Sequence, residues 1–329
     1  MESLSSLFKK FSTIKVGVIG DVMLDSYYWG KVERISPEAP VPVVSVSKKE
    51  LRIGGAGNVA LNLRSLGAEP FVISVFGNDE EGKMLNRLFA GEHINTNYSI
   101  HSENRITTNK IRVIGRNQQM LRLDAEVTDD LISTDEAALI DRFERFVQEE
   151  KPDVVILEDY NKGVLSEAVI RVVISVCKEN GVVTAVDPKR KNFFAFRGVD
   201  IFKPNLKEVK DALNLIAAEP VPHVMNSIHQ QLQQLLHHRI SLITLSEKGI
   251  FYMSGDTAGI IPSHLRNIAD VSGAGDTVIA VAALVYAASR NVHLMADIAN
   301  IAGGLVCEEV GTVAVDKTRL YNECELLLN

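Results

Sequence analysis

Short Val- and Ile-rich runs that alternate with longer helical stretches predict an α/β fold, a mostly parallel central sheet flanked by helices. Two features support this reading. The strand runs are apolar without alternation, as in strands covered on both faces. Two further stretches contain extended runs with no helix between them, which predicts a small separate β-sheet acting as a lid. In order, the expected strands of the main sheet are 15–20, 71–76, 153–157, 182–186, 200–202 and 241–245. The expected helices are 58–66, 80–90, 134–150, 166–180, 276–288 and 295–309. The lid is expected from 27–53 and 96–124, and Pro37, Pro40 and Pro42 disfavour a helix in the first of these. No low-complexity tract, repeat or long linker divides the chain, so residues 1–329 are read as one domain.

The composition narrows the function. With 46% apolar and 23% charged residues the chain has material for a large core, which excludes wholesale disorder. A net charge of -7 opposes broad attraction to nucleic acid or anionic membranes, so neither is an expected partner. The longest apolar run, 278–288, is too short to span a bilayer and the N-terminal stretch has no signal-peptide core, which predicts a cytoplasmic protein. Cys177, Cys307 and Cys324 form no CxxC pair and are expected as buried thiols, and the histidines show no HExxH spacing, so no metal is assigned to them.

The sharpest local signal is Asp270-Val-Ser-Gly-Ala-Gly-Asp276 at the mouth of a small-residue helix. Gly273, Ala274 and Gly275 suit a turn whose N–H groups and helix dipole hold a phosphate or developing negative charge, and Asp276 is placed to accept a proton. A glycine turn with Asp276 as an ordinary helix-start residue fits the spacing equally well. A second cluster, Gly54-Gly-Ala-Gly-Asn-Val-Ala60, satisfies GxGxxA, but the strand expected before a dinucleotide fingerprint is better represented by 15–20. Gly54, Gly55 and Asn58 therefore suit sugar hydroxyls better than NAD. The segment 77–84 is nearly a phosphate-binding loop but has Met84 in place of Ser or Thr and three acids in the turn, so an acidic helix start is preferred. Asp21 and Asp25, just beyond the first strand, suit sugar binding or turn capping. Asn205 and Glu208 suit either hydrated Mg²⁺ or a helix cap.

Together, RIGGAGNVALNLRSLGA, KPNLKE, TLSEKG and DVSGAGDTVIA, in this order, resemble the ribokinase-like, or PfkB, family of carbohydrate kinases. The segments GDVMLDSYYWGKVERISPEAPVPVV, RNQQMLRLD and VDPK resemble more narrowly the kinase part of bacterial heptose-phosphate kinases that supply ADP-heptose for lipopolysaccharide. The resemblance implies a ribokinase-like fold and ATP-dependent phosphorylation of the anomeric hydroxyl of D-glycero-β-D-manno-heptose 7-phosphate, with Mg²⁺. It makes Asp276 the base, with Gly273, Ala274 and Gly275 as the anion-holding turn. Asn205 and Glu208 lie near Mg²⁺ through water, Ser246, Glu247 and Gly249 border the nucleotide, and Asn300 approaches adenine. Asp21, Asp25, Gly54, Gly55 and Asn58 fall on the sugar side. Lys162, Lys189, Arg190 and Lys191 are candidates for the substrate phosphate.

The heptose branch is expected to carry SDYxKG where this chain has EDYNKG, so Glu158 stands in place of a small hydroxyl residue. The chain is expected to be the kinase alone, without the nucleotidyltransferase domain of bifunctional relatives, and to dimerise through the lid. A PfkB kinase for another sugar, a non-catalytic sugar-binding regulator and, on the GxGxxA pattern, an oxidoreductase are the competing readings.

Overall fold

The protein is described from a computed structural model covering residues 3–115, 118–216 and 219–328. Arg116 and Asn117, which open the RNQQMLRLD stretch, lie outside the described residues. In chain order the strands are β1 (Lys15–Gly20), β2 (Val22–Ile35), β3 (Pro42–Gly55), β4 (Glu69–Ile73), β5 (Val75–Gly77), β6 (Ile100–Ser102), β7 (Asn109–Gly115), β8 (Gln118–Ala125), β9 (Val154–Glu158), β10 (Val183–Asp187), β11 (Ile201–Phe202), β12 (Ile240–Thr244), β13 (Ile250–Ser254) and β14 (Thr257–Ile261). The helices are α1 (Leu4–Lys10), α2 (Ala56–Leu66), α3 (Glu80–Gly91), α4 (Ser133–Glu150), α5 (Glu167–Glu179), α6 (Leu206–Leu213), α7 (Pro222–Leu236), α8 (Ala274–Ser289), α9 (Val292–Val306) and α10 (Lys317–Leu328).

Strand β9 shows why the main strands read as continuous apolar runs. Its Val154 and Ile156 enter one apolar cluster, with side chains from α2, α8 and α9, while Val155 and Leu157 enter another with α4, α5 and α7. With helices on both faces, neither set of side chains has a solvent side to be polar for. The eight strands run in the order β14-β13-β12-β11-β10-β9-β1-β4. From β4 to β12 neighbours are parallel, and β13 and β14 add an antiparallel edge. The carboxyl ends of β1, β9 and β10 are Gly20, Glu158 and Asp187, side by side, and this edge positions the site.

The expected strand 71–76 is two strands. It breaks at Ser74, whose hydroxyl donates to the Gly20 carbonyl at 2.6 Å; β4 stays with β1 and β5 pairs with β6. The lid has the order β3-β2-β7-β8, but it begins at Val22 and ends at Gly55, beyond both expected limits of 27–53. Of the second stretch, 96–124, only β7 and β8 belong to it. Helix α9 lies three residues earlier than expected because Asn291 caps it, its side chain accepting from Leu294 N at 3.0 Å.

GxGxxA is fed by the antiparallel lid strand β3, so it is not the turn of a dinucleotide-binding βαβ unit. At 77–84 Asp79 is a helix cap, its carboxylate accepting from Gly82 N at 2.8 Å and Thr107 N at 2.7 Å. The three cysteines are buried and free. Among the described residues no helix is long and apolar enough to cross a membrane.

Under α7, the hydroxyl of Ser241 lies 2.8 Å from His229 Nδ1 and 2.6 Å from His238 Nε2, all three residues buried. Burial, reinforced by His229, pushes His238 down to about 3. The unfolded chain therefore binds the proton more readily, and the contribution is complete above the ordinary histidine range and is lost progressively as pH falls from there to about 3. We expect stability to drop between pH 7 and pH 5 by on the order of 1–2 kcal/mol from this site. The drop should shrink in His238→Gln; equal drops in urea unfolding of the two proteins would contradict it.

Candidate active site

Gly273 has a left-handed backbone (φ 79°) and precedes α8 without offering a side chain to its first-turn N–H groups. A Cβ there would stand 2.8 Å from Asn58 Nδ2. The glycine thus leaves the positive end of the helix open and lets Asn58 reach Asp276. Asp276 is 4% exposed and held from both sides: Tyr160 donates its hydroxyl to Oδ1 at 2.6 Å, and Asn58 donates its amide to Oδ2 at 2.8 Å. Asn58 is itself braced by Asn62, which donates to its carbonyl at 2.9 Å. Burial pushes the Asp276 carboxyl up to about 6, against the Tyr160 and Asn58 hydrogen bonds that hold it down. Such a carboxylate is ionised at neutral pH and is a better proton acceptor than an exposed aspartate.

Asp21 is expected to meet sugar, and the structure gives it another task. Its oxygens accept from the backbone N–H groups of Tyr160 at 2.8 Å, Lys162 at 2.9 Å and Val164 at 3.1 Å, so it fixes the loop that carries Tyr160. Asn58 likewise has a partner inside the protein, donating an amide hydrogen to Asp276. Asp25 pairs with Arg112 of the lid at 2.5 Å, and a Cβ on Gly54 would overlap the Asp25 carboxylate. Gly55 has φ 60° and packs on the Asp21 carbonyl, where a side chain has no space. These two glycines are explained by backbone and carboxylate packing.

Behind Asp276, charges alternate. Lys189 bridges Asp187 at 2.9 Å and Glu208 at 3.0 Å, and the buried Lys203 reaches the other Asp187 oxygen at 2.7 Å. A Cβ on Gly275 would lie 3.6 Å from both Asp187 Oδ2 and Lys203 Nζ, so this pair sits directly under the glycine turn. Burial alone would raise Asp187, yet Lys189 and Lys203 hold it below the usual carboxylate range. Lys189 is raised: burial lowers it, but Asp187 and Glu208 outweigh that. Lys189 is thus a bridge between two acids inside the protein. Asn205 and Glu208 form a reciprocal cap at the start of α6, with Glu208 N donating to Asn205 Oδ1 and Asn205 N to Glu208 Oε2, each at 2.8 Å. The cap and a role towards Mg²⁺ are compatible, because the donors are oxygens with lone pairs to spare and they face the Lys189–Asp187 chain.

Lys162 pairs with Glu126 at 2.7 Å and Lys191 with Asp130 at 2.7 Å. Glu247, Gly249 and Asn300 gather around the end of β14, with Ser246 beside them in the chain. Asn300 donates to the Pro262 carbonyl at 2.9 Å, Ser263 donates to the Glu247 carbonyl, and Gly249 (φ 94°) packs on the Ile261 carbonyl. The structure therefore joins Gly273, Ala274, Gly275, Asp276 and Asn58 with Asn205, Glu208 and Lys189, and Thr244, two residues before Ser246, pairs with Asn205.

Sequence reasoning missed Tyr160, Asp187, Lys203, Lys110 and Arg112. Lys110 Nζ lies 5.4 Å from the Tyr160 ring centre and Lys189 Nζ 5.5 Å. The signal for Lys110 and Arg112 was their i, i+2 spacing within β7, which puts both on the face of the lid that carries Asp25 and Tyr27 in register. Asp187 and Lys203 lay in VDPK and KPNLKE, motifs that drew notice for other residues.

A helix mouth open to an anion, a proton-accepting carboxylate beside it and a lid attached at the same sheet edge define, with this fold, an ATP-dependent carbohydrate kinase. Residues 13–319 match the pfkB family carbohydrate kinase profile. The chain belongs to that family. It is 39% identical over 313 residues to the "Bifunctional protein HldE" of Desulfatibacillum aliphaticivorans, covering 94% of this chain and 63% of the relative. It is 36% identical over 320 residues to the protein of the same name in Geobacter sulfurreducens, covering 97% and 64%. The chain thus spans under two thirds of the length of these curated relatives. Among solved structures it resembles phosphofructokinase-2 from Escherichia coli in complex with fructose-6-phosphate, with TM-score 0.77, 17% identity and coverage of 95% and 99%. It also resembles Arabidopsis thaliana ribokinase complexed with ribose and ATP, with TM-score 0.73, 16% identity and coverage of 94% and 97%. These two likenesses bear on the fold, which is ribokinase-like.

The glycine at position 54 gives a test of lid attachment. In Gly54→Ala the new methyl group must displace Asp25 from Arg112, at a cost of roughly 1–3 kcal/mol. We expect faster hydrogen exchange in β2, β3 and β7 with the main sheet unchanged; unaltered lid exchange would refute the packing role.

Proposed function

We propose that this kinase transfers the γ-phosphoryl group of ATP to the anomeric hydroxyl of D-glycero-β-D-manno-heptose 7-phosphate, giving the 1,7-bisphosphate used for ADP-heptose. The observation that carries the kinase chemistry is Asp276 held between Tyr160 and Asn58 at the mouth of α8. The heptose substrate is supported by relatives named HldE at 36–39% identity and by the basic groups Lys110, Arg112 and Lys162 beside Asp25 and Tyr160.

Phosphoryl transfer depends on alignment and on stabilising charge. Asp276 accepts the proton of the attacking hydroxyl. The N–H groups around Gly273, Ala274 and Gly275 face the transferred phosphoryl oxygens, with the Lys203–Asp187 pair beneath them. Asn205 and Glu208 would hold Mg²⁺ through water, and that ion would neutralise phosphate oxygens. The lid shields the acceptor from water. Ser246, Glu247, Gly249 and Asn300 line the nucleotide side through the 261–263 segment they hold.

Exposed apolar residues on the lid, including Val41, Val46, Leu121 and Leu123, favour pairing with a second lid in a homodimer. Leu121→Glu should shift sedimentation from dimer towards monomer, and a wild-type monomer at assay concentration would refute the pairing.

The substrate is tested by ATP consumption across phosphorylated and free sugars with product identification. Turnover only with free hexoses would reject the heptose reading. Asp276→Asn should keep the fold and most ATP binding while lowering turnover by roughly 10²- to 10⁴-fold, because the amide cannot accept the proton. A folded variant with near-normal turnover would remove Asp276 from the base position.

A further inference from the structure

Glu158 ends β9 between Gly20 and Asp187, and its side chain is fully buried. Neither of its carboxylate oxygens has a hydrogen-bond partner among the described residues. Buried carboxylates are ordinarily paired or hydrogen-bonded, because removing either oxygen from water without a replacement is costly. What Glu158 faces is two more carboxylates: one oxygen each of Glu158, Asp187 and Asp276 lie within 4.8 Å of one another. Of these three carboxylates Lys189 and Lys203 reach only Asp187, Lys189 being shared with Glu208, and Tyr160 and Asn58 reach only Asp276. With Glu208 four carboxylates share two ammonium groups, and Glu158, which burial and the neighbouring Asp187 and Asp276 raise well above the usual carboxylate range, has no donor or cation of its own to compensate it.

We propose that Glu158, Asp187 and Asp276 form a buried site for one divalent, oxygen-preferring cation, separate from the Asn205–Glu208 position on the far side of the Lys189 ammonium. The donor set is all oxygen, which suits Mg²⁺, Mn²⁺ or Ca²⁺ and disfavours zinc and copper. The dimensions fit. Opposed ligands stand about 4.0–4.2 Å apart around Mg²⁺ and about 4.6–5.2 Å apart around Ca²⁺. The oxygens of Asp187 and Asp276 that already accept one hydrogen bond keep a second lone pair, and Glu158 brings two uncommitted oxygens. The cation offsets the acids that the two ammonium groups leave uncompensated, under the Gly275 turn where negative charge is to be received. It also locks the ends of β9 and β10 to the first turn of α8.

The site is tested on nucleotide-free, sugar-free protein, so its failure leaves the kinase reading untouched. Mn²⁺ is titrated into the wild type, Glu158→Gln and Glu208→Gln, with free Mn²⁺ read by electron paramagnetic resonance. One bound Mn²⁺ per chain, competed by Mg²⁺, is expected in the wild type. Glu158→Gln should lose at least tenfold in affinity and Glu208→Gln should keep it. No bound Mn²⁺ in the wild type, or equal affinity in a folded Glu158→Gln, overturns the proposal. If Glu158→Gln does not fold, the wild type decides by stoichiometry and by its infrared spectrum with saturating Mg²⁺. A protonated carboxyl band that Glu158→Asp shifts would mean that a proton, not a metal, neutralises the cluster, and would overturn the proposal too.

Discussion

The site hangs on Asp21. Placing a carboxylate wholly out of water is unfavourable, and burial accordingly raises its pKa, but three backbone N–H groups of the 160–164 loop converge on it. The same residue's carbonyl accepts from Ala56 N at 3.0 Å, which fixes the start of α2. Tyr160 is carried by the loop and Asn58 by the helix, and these are the two residues that hold Asp276. One residue at the end of β1 therefore sets both partners of the proton-accepting carboxylate, although it touches that carboxylate nowhere.

Behind Asp276 the protein uses alternation of charge in place of solvent. Glu208, Lys189, Asp187 and Lys203 follow one another in contact, so each ammonium group is flanked by acid or backs onto the glycine turn. Removing one member would leave its neighbour buried and uncompensated, which is the costly case for buried ion pairs. A rigid arrangement follows, and rigidity is what a site needs when most of its work is to hold charge in place. Glu158 departs from this order, being an acid with no cation of its own.

Much of the fold was legible because burial on both faces leaves a local trace, an apolar run bounded by turns. Where the trace is ambiguous the reading failed: PFVISVF is apolar but for Ser74, and a single serine does not reveal that the chain changes sheets there. In the site, Gly273, Gly275 and Asp276 were legible as a helix mouth because their task depends on neighbours in sequence. Tyr160 was not, since its meaning comes from a hydroxyl contact 116 residues away. Asp21 was legible as a residue at a strand end but not as a clamp, because its donors are backbone groups, which every residue but proline carries.

The GxGxxA pattern shows how the same letters arise from different demands. In a dinucleotide fold, glycines let the backbone approach a pyrophosphate. Here Gly54 makes room for Asp25, Gly55 takes a positive φ against the Asp21 carbonyl, and a Cβ on Gly57 would run into Ile53 and Phe89. Each glycine answers to a different neighbour, and none of those neighbours is a ligand. A glycine pattern reports close approach and nothing about what approaches, so its meaning is fixed by the strand that feeds it. When that strand is a lid strand antiparallel to its partner, the helix that follows is anchored to the sheet edge by its backbone, and the open helix mouth of this fold is left to Gly273 and α8.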